Sequence, residues 1–140
     1  MPFREKSAWL MAAALSLATA VYASIVINLS HSLDQLAPPL LPLIVGFTIA
    51  LAILATAGHI FIAVVAPKDA EAPADERDRA ITARSGAWSS YVFATGVACA
   101  LGHYLIVRDG DVLFYAVFAA WMLAQVSEYA FQIALYRNLA

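Results

Sequence analysis

Four long apolar stretches govern what this chain can fold into: residues 7–29, 40–66, 86–107 and 112–136. A bilayer core about 30 Å thick is crossed by roughly 20 mostly apolar residues in a helix rising about 1.5 Å per residue. Every one of the stretches passes that test. The composition agrees, with 63% hydrophobic and 13% charged residues, against about 45–50% and about 25% in soluble domains. The connections 30–39 and 108–111 are short, which makes the helices they join antiparallel neighbours. The expectation is an all-α, four-helix transmembrane bundle of up-down topology. It forms a single integral membrane domain over residues 1–140, with a charged connector over 67–85.

Charge placement gives the orientation. Arg4 and Lys6 precede the first span, Lys68, Arg77, Arg79 and Arg84 lie between the second and third, and Arg137 follows the fourth. Only Arg108 lies on the opposite side. Cytoplasmic loops carry the excess of Lys and Arg, so both termini and the 67–85 connector are expected in the cytoplasm. The first stretch exceeds the roughly 7–15 apolar residues of a secretory signal and is read as a retained helix.

Several function classes fall away. A net charge of −2 gives no basic surface for nucleic acid. The single cysteine, Cys99, excludes an internal disulfide, a thiolate zinc cluster and a Cys-x-x-Cys redox pair. Its neighbours Ala98, Ala100 and Leu101 suggest a buried, unactivated thiol. No Gly-x-Ser-x-Gly, Walker-type or His-Glu-x-x-His pattern occurs. Trp9, Trp88 and Trp121, with Tyr22 and Tyr104, read as interface anchors and packing residues rather than a cofactor box.

Local signals refine the boundaries. Pro38, Pro39 and Pro42 mark the start of the second helix, and Pro67 its end. Residues 67–74 are rich in Pro, Ala and acids and read as a flexible link. Residues 75–84 contain no breaker and should be helical, running into the third span, with Asp75 and Arg79 spaced for an intrahelical ion pair. Small or polar residues recur every fourth position at Ala12, Ser16, Ala20, Ser24 and Asn28, and again at Gly86, Ser90, Ala94, Ala98 and Gly102. In lipid, close approach through small residues drives helix association, so both strips are expected to face other helices.

The only charge deep within a span is Glu128. It lies about 13 Å from the Arg137 end at the helical rise. Gln125, Glu128 and Gln132 share one helical face, which Tyr136 extends. His59 lies about 12 Å from the same side, and Ser89, Ser90 and Tyr91 roughly 8–10 Å. A polar layer of His59, Ser89 or Ser90, Tyr91, Gln125, Glu128 and Gln132 follows, in which Glu128 is either protonated or paired with a charged His59. Intramembrane carboxylates are costly. The layer therefore serves either proton coupling or polar-ligand binding, or else a buried hydrogen-bond network that fixes helix register.

His59 and His103 differ in depth by roughly 10 Å, which disfavours bis-His haem. His31 and His103 share the outer side with Asp34, Asp109 and Asp111 as weak metal candidates, but no ligand spacing supports a site. No cofactor is predicted.

The run Asp75-Glu76-Arg77-Asp78-Arg79, followed by Arg84 and closed by Tyr136-Arg137, resembles a group of small bacterial four-helix membrane proteins of unknown function. The resemblance covers about the second half of the chain and brings no catalytic assignment. It implies a cytoplasmic-face cluster in which Arg77, Arg84 and Arg137 meet Asp75, Glu76 or Asp78. The leading functional expectation is a non-enzymatic inner-membrane protein acting as an accessory, assembly or signalling partner. Its partners are then the lipid bilayer and either a second copy or another membrane protein. A small homodimeric proton-coupled transporter using Glu128 is the alternative, followed by a haem- or metal-binding redox protein.

Overall fold

The computed structural model describes residues 3–65, 67 and 75–138, and among them the regular elements are four helices. These are α1 (Phe3–Leu33), α2 (Leu41–Val65), α3 (Glu76–Val107) and α4 (Gly110–Asn138). All four are long and apolar enough to cross a membrane. The chain is an all-α four-helix bundle. The acid-rich link over 68–74, with Lys68, lies outside the described residues.

Polar side chains set the helix ends. Asp75 caps α3: its Oδ1 accepts from the Asp78 N–H at 2.6 Å, while Asp78 Oδ2 accepts from the Asp75 N–H at 3.4 Å. This is the reciprocal geometry of a capping box. It occupies the Asp75 side chain, so the expected Asp75–Arg79 ion pair does not form. Instead the Arg79 N–H donates to the Asp75 carbonyl at 3.2 Å. At the other end of α3, Arg108 adopts a left-handed conformation (φ 61°) and donates its N–H to the Tyr104 carbonyl at 2.9 Å. Asp109 Oδ1 then accepts from the N–H groups of Asp111 and Val112 at 2.9 and 3.1 Å, supplying partners at the start of α4. The α1–α2 connection is tied to α4 by Tyr115, whose hydroxyl donates to the Ala37 carbonyl at 3.0 Å.

Extensive contact joins α3 to α4, α4 to α1 and α1 to α2. Across the bundle the order is therefore α2, α1, α4, α3. The core lies where α1, α2 and α4 converge. Tyr22, Phe47 and Phe118 pack there with ring centroids 4.8–5.5 Å apart, beside Ala18, Val26 and Met122. Tyr22 is thus a core residue rather than an interface anchor. Most of α2 faces outward, and Phe47 is its one buried residue.

The small-residue strips form the contacts expected of them only at their first members, Ala12 and Gly86, which are half-buried. On α1 the buried positions are Ala8, Ala14, Leu15, Ala18, Tyr22 and Val26, together with Glu5, whereas Ser16, Ala20, Ser24 and Asn28 are exposed. On α3 the buried positions are Ile81, Ser85, Ser89 and Ala100, whereas Ser90, Ala94, Ala98 and Gly102 are exposed. On α3, then, the contact face is displaced from the strip by one residue, about 100° around the helix. The polar members need no neighbour, because Ser24, Asn28 and Ser90 donate to backbone carbonyls four residues back at 2.7–2.9 Å. Cys99 is likewise exposed, not buried.

Candidate functional site

Polar groups gather first at the end of the bundle where α1 begins, α3 begins and α4 ends. Arg4 Nε lies 3.0 Å from Asp78 Oδ2, and the Tyr136 hydroxyl donates to Asp78 Oδ1 at 2.8 Å. Arg77 donates to the Tyr136 carbonyl at 3.1 Å. Beside this knot, Arg137 Nε lies 3.7 Å from Glu5 Oε1, and its guanidinium sits 5.3 Å above the Trp9 ring. Together these contacts latch three helices. Asp78 has donors at both oxygens, which makes it a tether rather than a free acid or base.

The latch differs from the expected cluster in its membership. Of Asp75, Glu76, Arg77, Asp78, Arg84 and Arg137, only Arg77 and Asp78 enter the knot, and they meet Tyr136 and Arg4 rather than each other. Arg137 pairs with Glu5, Asp75 is spent on the cap, and Glu76 and Arg84 are exposed. The sequence assigns Arg4 only an anchoring place and gives Glu5 no role, because flanking charges read as membrane anchors. The available signal was Glu5 itself, an acid set among cations next to an apolar span and now buried.

The expected intramembrane layer is split between two interfaces. Glu128 projects from α4 toward α3, where the Ser89 hydroxyl stands 3.5 Å from Oε2 and also donates to the Gly86 carbonyl at 3.0 Å. Gly86 leaves room for the carboxylate, since a Cβ there would lie 3.9 Å from Glu128 Oε1. His59 does not pair with Glu128. It sits between α1 and α2, with Nδ1 2.7 Å from the Ala55 carbonyl and Nε2 2.8 Å from the Ser7 hydroxyl. A carbonyl can only accept, so Nδ1 donates to Ala55, and Nε2 shares a hydrogen bond with the Ser7 hydroxyl. Equal depth had suggested the Glu128–His59 pair, but depth does not fix which helices meet. Ser7→Ala should lower stability by about 1 kcal/mol, the net value of one such bond, read as a modest fall in detergent melting temperature.

The remaining members of that layer scatter. Tyr91 is 74% exposed and points out of the bundle. Gln132 is half-buried on α4. Ser90 and Gln125 instead line a groove of about 790 Å³ that also involves Ser89. Its walls come from Phe93 on α3 and Phe114, Phe118 and Trp121 on α4, with Ile44 of α2 opposite. Trp121 is therefore a groove wall, while Trp88 packs edge-on against Phe131 with centroids 5.1 Å apart.

A smaller cavity of about 220 Å³ near the α3–α4 turn includes Cys99, His103, Tyr104 and Asp109. His31 and His103 are both exposed. Among the described residues, no group of three or more His, Cys, Asp or Glu side chains could hold a metal ion.

No protein-family model matches the chain, and neither the curated proteins nor the solved structures compared with it contain a match.

Proposed function

We propose that this chain is a non-enzymatic integral membrane protein of a bacterial inner membrane, with both termini in the cytoplasm, that works by associating with another transmembrane helix. It acts as an accessory or assembly partner, bound to a second copy or to a different membrane protein. The carrying observation is the outward face of α3, where Ala94, Ala98 and Gly102 are exposed and nothing lies within 4 Å of a Cβ placed at Gly102. Small residues let another backbone approach closely, and that contact dominates association in lipid. The orientation is supported by the cations clustered at the latched end.

The test is Ala94→Leu with Ala98→Leu. Both positions lie outside the intramolecular contacts, so the melting temperature should change by no more than about 0.5 kcal/mol of stability would produce. The mass in mild detergent should fall to that of the chain alone, or a co-purifying protein should be lost. A variant that keeps the wild-type mass and companions overturns the reading.

A second reading, a small homodimeric proton-coupled transporter, draws support from Glu128 lying beside the groove through Ser89. In proteoliposomes it requires substrate-dependent proton movement that Glu128→Gln abolishes.

A further inference from the structure

The groove has a chemical polarity of its own. It follows α4 from Gly110 to Gln125, about 22 Å at the helical rise. Aromatic rings line its length, while its polar side chains, Ser89, Ser90 and Gln125, gather at the end remote from the α3–α4 turn. No Lys, Arg or His is among its lining residues.

Hydrogen bonding fixes what that polar end can offer. The Ser90 hydroxyl proton is given to the Gly86 carbonyl at 2.9 Å. The Ser89 proton is directed at the Gly86 carbonyl and at Glu128 Oε2. Both serine oxygens therefore present lone pairs, and the Gln125 amide can turn its oxygen to the same point. The Glu128 carboxyl stands directly behind Ser89. A cluster so rich in acceptors, with no cation, repels carboxylate and phosphate head groups. It suits a group that donates several hydrogen bonds and carries positive charge. Aromatic faces attract cations as well, by about 2 kcal/mol or more where water is excluded. An ammonium within an apolar groove is tolerable only with a carboxyl and hydrogen bonds to satisfy it.

We infer that the groove binds a lipophilic amine, with its ammonium held by Ser89, Ser90 and Gln125, the Glu128 carboxyl behind Ser89 favouring its charge, and its apolar body laid along the aromatic wall. Its lining does not include Ala94, Ala98 or Gly102, on which partner association rests, and that association is read by mass rather than by ligand binding.

Three probes sharing one apolar body separate head-group chemistry from partitioning: 4-phenylbutylamine, 4-phenylbutanol and 4-phenylbutanoate, titrated calorimetrically into the purified protein in mild detergent. The amine should bind saturably at one site per chain, with the alcohol and the carboxylate at least tenfold weaker. Glu128→Gln should weaken the amine at least tenfold and narrow its advantage over the alcohol. Val117→Trp, which fills the middle of the groove, should abolish binding. Gln125→Leu, expected to weaken the amine severalfold, replaces Glu128→Gln if that variant does not fold. Amine binding that is non-saturable, no tighter than that of the alcohol, or unaffected by filling the groove overturns the assignment.

Discussion

Gly96→Leu should drive α3 away from α4 and destabilise the protein by about 3 kcal/mol or more, the upper end of what overpacking costs. A Cβ at position 96 would stand 2.5 Å from Ala120 Cβ and 3.4 Å from its Cα. Ala120 is buried and has no rotamer through which to yield, so the helix backbones must separate. That pair of helices shares the most extensive interface in the bundle, and the groove and the Glu128–Ser89 contact both depend on it. Lipid supplies no compensating gain, because an added leucine is as well solvated by acyl chains as by protein. Two other glycines provide internal controls. At Gly58 the new Cβ would meet only the Leu10 side chain, at 2.6 Å, which can rotate aside; Gly58→Ala should cost less than about 1 kcal/mol. At Gly102 nothing lies within 4 Å, and Gly102→Leu should leave monomer stability near wild type. Melting in one detergent should rank the variants with 96 far below 58 and 58 at or below 102. Equal melting of the Gly96→Leu and Gly102→Leu proteins would refute the close approach.

The spans were legible because length and apolarity are one-dimensional properties, and bilayer thickness sets both. Helix α1 extends beyond its apolar stretch, Phe3–Leu33 against 7–29, because the flanking polar residues include no breaker, and α3 begins at Glu76 as the breaker-free run 75–84 leads one to expect. Faces were not legible. A soluble helix marks its buried side with apolar residues, but a helix in lipid is apolar all round, so periodicity identifies no inner face. The strips at Ser24 and Ser90 illustrate this: their spacing is regular, yet each serine satisfies itself on its own backbone. The candidate site divides in the same way. Glu128 is the lone charge within an apolar stretch, and in the structure it lies 3.5 Å from the Ser89 hydroxyl. The helix that His59 packs against was not encoded in its depth, and only the fold directs it to Ser7. The aromatic groove had no sequence signature, because Phe93 and Trp121 are indistinguishable from lipid-facing aromatics until α3 and α4 are docked.

Loss of the Asp78 carboxylate should have the other large effect. Asp78→Ala removes the acceptor of the Tyr136 hydroxyl and the partner of Arg4 in one step. Tyr136 is 6% exposed, so its stranded hydroxyl should cost about 1–3 kcal/mol. The Arg4 side chain is 42% exposed, and solvent screening limits its share to at most about 1 kcal/mol. A total of about 1–4 kcal/mol is expected, with a smaller loss for Asp78→Asn, whose amide oxygen can still accept from Tyr136. The two contributions separate experimentally. Raising salt should diminish the Arg4 share and leave the Tyr136 share almost intact. A double-mutant cycle with Tyr136→Phe should return a coupling energy of about 1 kcal/mol or more, as contacting residues do. Because the knot joins the start of α1 to α3 and α4, its loss should also loosen the N-terminal turn, seen as faster proteolysis near Arg4. If Asp78→Ala melts with wild type and the cycle shows no coupling, the latch contributes nothing to holding these helix ends together, and stability must reside in the aromatic core around Tyr22 and Phe118.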